Sequence, residues 1–122
     1  MRSIYPVFRY PDARIAIEWL RAAFGFQVHA VHDAPDGSVA HAELVLGDGM
    51  IMIGAGPGPR ARPADDDYSV YVAVDDLDGH HERARAAGAE IVRPPFDTDY
   101  GSRDYVARDL AGQVWSFGTY RP

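Results

Sequence analysis

The chain nearly repeats itself. Gly25 and Gly88 lie 63 positions apart, as do Gly49 and Gly112, and Asp12 and Asp76 lie 64 apart. Each aspartate precedes a segment with helical features and the first glycine of each copy follows it, the positions where helices take an N-terminal cap and a left-handed stop. Gly49 and Gly112 fall in turns between runs that alternate apolar and polar residues, the period-2 pattern of strands. Duplication of one unit is the simplest account, and the period is too long, with too few copies, for a solenoid.

Within the first copy, residues 4–10 read as a strand with Pro6 near its start. Ala16, Trp19, Leu20, Ala23 and Phe24 then form one apolar stripe, a helix capped by Asp12 and closed by Gly25. Residues 26–32, 39–46 and 50–53 read as three strands, separated by turns at Ala34-Pro35-Asp36-Gly37 and Gly47-Asp48-Gly49. In the second copy, 68–74 is a strand, Asp75-Asp76 offers a cap, 77–87 is a helix closed by Gly88, and 90–94 is a strand. A final hairpin over 103–120 turns at Asp109-Leu110-Ala111-Gly112. The expected fold is α+β: two tandem βαβββ modules forming a curved mixed sheet with a concave ligand cup and helices outside. Their bounds are 3–54 and 68–120, with a Gly/Pro/Asp linker at 55–67 read as a solvated connector, inside a single domain spanning 1–122.

Charge and composition narrow the partners. A formal net charge of -6 argues against nucleic acid and anionic membranes, which reward clustered Lys and Arg. The absence of cysteine excludes thiolate catalysis, disulfides and Cys-ligated metals. Met1-Arg2-Ser3-Ile4-Tyr5-Pro6 lacks the apolar run of a signal peptide and no segment approaches the length of a membrane span, so a cytoplasmic location is expected.

Strand phase selects the residues that face a ligand. A two-residue turn in the last hairpin sets Val106 opposite Trp115 and Tyr105 opposite Ser116, burying Val106, Trp115 and Phe117 and leaving Arg103, Tyr105 and Ser116 on the other face. The same logic pairs Glu43 with Met52 in the first copy and sends Ala42, Leu44, Ile51 and Ile53 to the core. The cup is then expected to gather Tyr5, Arg9, His41, Glu43, Met52, Tyr71, Arg103, Tyr105 and Ser116. Such a mixed aromatic and polar lining suits a flat or aromatic ligand with a few hydrogen-bonding or anionic groups.

Several of these residues carry two readings. His41 and Glu43 share one strand face, as a base with an orienting carboxylate or as a plain hydrogen-bonded pair near the rim. With His29 on the adjacent strand they would make a His, His, Glu set able to take a divalent metal such as zinc. Arg9 and Arg103 either clamp an anionic group or close salt bridges to acidic neighbours. Tyr100 caps the cup or sits in a connecting loop, His80 and His81 read as solvated helix surface, and Trp19 and Trp115 read as core.

The chain resembles the vicinal oxygen chelate superfamily, which contains glyoxalase I, extradiol dioxygenases, fosfomycin-resistance enzymes and bleomycin-resistance proteins. The resemblance rests on residues 6–12 leading into Trp19-Leu20-Arg21-Ala22-Ala23-Phe24-Gly25-Phe26, on His41-Ala42-Glu43-Leu44, on Val72-Ala73-Val74-Asp75-Asp76-Leu77-Asp78, and on Arg108-Asp109-Leu110-Ala111-Gly112-Gln113-Val114-Trp115-Ser116. It implies paired βαβββ modules around a cup, and in the metalloenzymes a divalent ion held by His or Gln and Glu from the first and last strands of each module. Carried over by position, Tyr5 and Ser69 stand at the two His-like places and Met52 and Ser116 at the two Glu-like places. None is a usual metal ligand, so the resemblance is strongest with the metal-free bleomycin-resistance branch, whose members sequester a drug.

The expected function is therefore metal-independent sequestration of a small organic molecule or antibiotic, with no cofactor, in what the resemblance implies is a homodimer. Tyr71 or Tyr105 would stack on the ligand, Arg9 or Arg103 would read its charge, and the acidic balance would suit a cationic ligand. The alternative is a lyase, isomerase or dioxygenase-type enzyme using His41 and Glu43, with or without a metal at His29, His41 and Glu43. A third reading is a regulatory module that has kept the fold and lost the cavity.

Overall fold

Residues 3–57 and 69–122 are described by the computed structural model. The chain divides after Arg60 into two units, each a βαβββ module with its own four-stranded mixed sheet. Of the linker expected over 55–67, Ala55 belongs to a strand, while 58–67, with the acidic Asp65-Asp66-Asp67, and the expected strand start at Tyr68 lie outside the described residues.

Module 1 contains β1 (Val7–Tyr10), α1 (Ala13–Phe24), β2 (Gln27–Asp33), β3 (Val39–Leu46) and β4 (Gly49–Ala55). Its strand order is β1-β4-β3-β2, with β1 parallel to β4 and the other pairs antiparallel. The Asp12 carboxylate accepts the N–H of Ile15 at 3.1 Å, satisfying one of the donors that every helix start leaves open. Gly25 closes the helix at φ 84 and donates its N–H to Arg21, while Phe26 donates back to Leu20 at 3.4 Å. Ala13, Ala16, Ile17, Leu20, Ala23 and Phe24 form the buried stripe, and each large side chain there stabilises the fold by roughly 1.5–3 kcal/mol. Trp19, expected in the core, is half-buried at the stripe's margin, edge-on to Phe24 at 5.1 Å.

Module 2 contains β5 (Val70–Ala73), α2 (Leu77–Ala86), β6 (Glu90–Asp97), β7 (Arg103–Arg108) and β8 (Val114–Gly118), in strand order β5-β8-β7-β6. Asp76 caps α2 through the N–H of Gly79 at 3.0 Å. Only Leu77 and Ala84 of this helix are buried. His80 and His81, expected on the solvated side, are half-buried and complete the helix's packing surface against the sheet. The imidazole of His80 lies 4.4 Å from the Phe117 ring, and that of His81 meets Tyr105 edge-on at 5.2 Å. Strand β6 runs past the expected end at Pro94 and through Pro95. It is an outer strand with irregular pairing at both proline positions, where a missing N–H costs the ladder little.

Hairpin loop length sets which side chains meet the helices. Between β3 and β4, Leu46 pairs with Gly49 across the two-residue turn Gly47-Asp48, and Glu43 faces Met52 as expected. Between β7 and β8, Asp109 donates its N–H to Gln113 at 2.9 Å, so the loop is Leu110-Ala111-Gly112, with Gly112 left-handed at φ 90. That third residue moves the register by one. Tyr105 pairs with Phe117 and Ala107 with Trp115 on the helix side, all four fully buried, while Val106 pairs with Ser116 on the other side.

Candidate functional site

Each sheet has one face covered by its helix and one turned away, and the candidate residues are those of the second kind. In module 1 this face carries Val7, Met52 and Glu43 in one row, because β1 pairs Val7 with Met52 and β3 pairs Glu43 with Met52. Arg9 is the next β1 residue on that face, opposite Gly54, and its aliphatic stem lies across Gly54 and Gly56. Arg9 is exposed and makes no ion pair with a described residue. Tyr5 lies just before β1 and is half-buried, and the neighbouring Pro6 carbonyl accepts the Met52 N–H at 2.9 Å.

His41 and Glu43 are brought together: Nε2 of His41 lies 3.0 Å from Oε2 of Glu43. An irregularity in β2 after Val28 brings His29 onto the same carboxylate, its Nε2 3.9 Å from Oε1, and His32 stacks on His41 with centroids 5.9 Å apart. The His41 hydrogen bond holds the Glu43 carboxyl below the ordinary glutamate range, against a smaller opposing effect of burial, and the positive character of His41, His29 and His32 adds to the lowering. His41 and His29 approach different oxygens of the carboxylate. Among the described residues no group of three or more His, Asp or Glu side chains is arranged to hold a metal ion.

In module 2 the corresponding row is Tyr71, Ser116 and Val106. Ser69 Oγ and Ser116 Oγ are hydrogen-bonded at 2.9 Å. Tyr71 donates its hydroxyl proton to the Tyr120 carbonyl at 2.7 Å. Burial raises its phenol pKa; a Ser102 hydrogen bond opposes the shift and the nearby Asp104 charge adds to it.

Two predicted site residues belong elsewhere. Tyr105 is fully buried on the helix face, 2.5 Å from His80 Nδ1, and burial raises its phenol above the ordinary tyrosine range. Arg103 shares that face, its guanidinium held by Asp78 at 3.0 Å and Asp97 at 3.2 Å, so of its two readings the salt bridge applies. The cause is the three-residue loop. The same shift puts Asp104 on the face where Tyr105 was expected, a position the two-residue turn concealed. Tyr100 is exposed in the loop between β6 and β7, edge-on to Tyr120 at 5.6 Å. A depression beside the N-terminus of α1, lined by Asp12, Arg14, Ile15 and Glu18 among others, contains none of the predicted site residues.

Residues 4–117 match the model of the Glyoxalase/Bleomycin resistance protein/Dioxygenase superfamily. The chain belongs to that superfamily. Among solved structures, TioX from Micromonospora sp. ML1 superposes with a TM-score of 0.80 at 33% identity, covering 99% of this chain and 98% of TioX. Glyoxalase I from Zea mays superposes at 0.79 with 20% identity, over 99% of this chain and 45% of the maize protein, a likeness of fold. An uncharacterized protein of Mycobacterium bovis, Mb0911c, is 27% identical over 124 residues, covering 95% of this chain and 82% of its own length.

Membership in the glyoxalase superfamily raises the question of a metal, on which the chemistry of the donor set bears. The places carried over from the metalloenzymes hold Tyr5 and Met52 in module 1 and Ser69 and Ser116 in module 2. A phenol, a thioether and two hydroxyls bonded to each other do not match the imidazole and carboxylate donors that divalent ions take in these enzymes. No helix among the described residues is long and apolar enough to cross a membrane.

Proposed function

We propose that this glyoxalase-superfamily protein binds a small, flat organic molecule without a metal ion, and acts by holding it, as a sequestering protein for an antibiotic or similar compound would. The observation that carries the reading is the Ser69–Ser116 hydrogen bond, which joins to each other two hydroxyls at places where the metalloenzymes of this fold need ligands. The faces turned away from the helices support it: Tyr71 is 40% exposed beside Ser116, and Arg9 is exposed on the face that carries Met52 and Glu43. The homodimer belongs to the same proposal and is checked by light scattering. The main test is metal analysis of protein purified without chelator, combined with thermal shifts over a panel of aromatic compounds. Far less than one ion per chain, with a saturable shift for some compounds, is expected. Stoichiometric zinc, nickel, manganese or iron would overturn it.

A second reading is favoured by one observation, the 3.0 Å contact of His41 with Glu43. Glu43 would orient the imidazole, and His41 would abstract a proton from a bound substrate in an isomerase or lyase reaction. Turnover of a panel compound that is lost in His41→Ala, with the melting temperature unchanged, would favour this reading over sequestration.

A further inference from the structure

The face of the second sheet turned away from α2 also holds a carboxylate with an unused oxygen. Asp104 lies opposite Gly118 and is only 9% exposed. Its Oδ1 accepts the Ser102 hydroxyl at 2.5 Å, and that serine oxygen in turn accepts the Tyr120 N–H at 3.2 Å. The Tyr71 hydroxyl proton goes to the Tyr120 carbonyl. These donors are committed, yet Oδ2 of Asp104 takes no hydrogen bond from a described residue and is not sealed from solvent.

Gly118 makes the arrangement possible. A Cβ there would collide with Asp104 Oδ1 and come within 2.5 Å of the Tyr71 hydroxyl oxygen, so the missing side chain lets phenol and carboxylate converge over the backbone. No cation among the described residues completes the pair. Arg103 is on the opposite face with Asp78 and Asp97, and Arg93 lies over the Phe96 ring at 3.5 Å, making no ion pair with Asp104. A nearly buried carboxylate left without a counter-charge is unfavourable, and a ligand cation would relieve it.

We propose that Asp104 Oδ2 and the ring of Tyr71 form a subsite for the protonated amine of a small aromatic ligand. The ammonium donates to Oδ2 while its carbon skeleton lies against the phenol ring. This rests on the binding reading above and narrows its ligand class to aromatic alkylamines.

The test uses the full-length, 15N-labelled chain titrated with tryptamine, its neutral analogue tryptophol and the anionic indole-3-acetate near pH 7. Tryptamine is expected to shift the amides of Asp104, Gly118 and Ser116 saturably, with an affinity about tenfold above tryptophol, as one charge-assisted hydrogen bond would give. Asp104→Asn is expected to bring tryptamine down to the tryptophol level. Equal affinities at these amides in the wild-type chain would overturn the cation subsite while leaving ligand binding intact. So would a preference for tryptamine that survives Asp104→Asn, or shifts confined to other residues. Absence of binding by all three also overturns it, whereas the binding reading falls only if the wider panel is silent too. The wild-type comparison decides the matter should Asp104→Asn fail to fold.

Discussion

Tyr105 Oη and His80 Nδ1 lie 2.5 Å apart where α2 packs on β7. One hydrogen bond thereby joins a helix with few apolar residues to the centre of its sheet, and Tyr105 also stacks on Phe117 at 5.0 Å. Replacing Tyr105 with Phe keeps the ring and leaves the imidazole nitrogen without this partner. A loss of about 1 kcal/mol is expected, lowering the melting temperature by roughly 3–6 °C, with calorimetry as the check.

The same phenol makes stability depend on alkaline pH. Burial raises the Tyr105 pKa above its ordinary 10.0, so the folded chain keeps a proton that the unfolded chain releases between the two values. This contribution is fully present below the ordinary value and is lost as pH rises toward the folded one. Urea unfolding from pH 8 upward should show wild-type stability falling beyond about pH 10, with a flatter decline in Tyr105→Phe.

Glu43 behaves in the opposite sense. Its carboxyl is held below the ordinary 4.5 by His41, so the stability it contributes is present above that range and is lost as pH falls through the lowered value. A carbon-detected NMR titration should find Glu43 among the more acidic glutamates, and His41→Ala should move it back toward 4.5. An unchanged titration in that variant would remove the functional meaning of the pair.

Asp109 organises the loop that determines strand phase. Its buried carboxylate accepts the N–H groups of Ala111 at 2.9 Å and Gln113 at 3.0 Å through one oxygen, and the Trp115 indole N–H at 3.0 Å through the other. Asp109→Ala removes the 3.0 Å acceptor of the buried indole N–H along with those of the two loop amides and should cost roughly 3 kcal/mol in chemical denaturation, with part of it restored in Asp109→Asn.

Gly118→Ala tests the convergence of Tyr71 and Asp104 directly. The added methyl group meets both side chains over a buried backbone position, and a loss of roughly 1–3 kcal/mol is expected. Adding Asp104→Ala to this variant should recover part of that loss, because one of the two obstructing groups is gone.

Most of the architecture was legible because caps, stops and alternation are local. Asp12, Gly25, Asp76 and the Gly47-Asp48 turn each act within a few residues, and the Glu43–Met52 pairing followed from them. The face carrying Tyr105 was not legible from alternation, which is satisfied equally well by either phase. What separated the phases was whether Asp109 pairs with Gly112 across a two-residue turn or with Gln113 across a three-residue loop. The left-handed Gly112, preceded by an aspartate able to accept two loop N–H groups, was the available sign of a three-residue loop. His80 and His81 were misread for another reason. Polar residues on a helix are ordinarily solvated, and their burial here depends on a tyrosine that is distant in sequence and itself needs a polar partner.

The consecutive prolines of β6 have a consequence beyond the fold of one molecule. Outer strands invite a second chain to extend the ladder, and across Pro94-Pro95 such a newcomer would meet an irregular line in which prolines supply no backbone donor. That border is self-terminating. A second copy of the protein meeting that edge would have no unbroken ladder to extend.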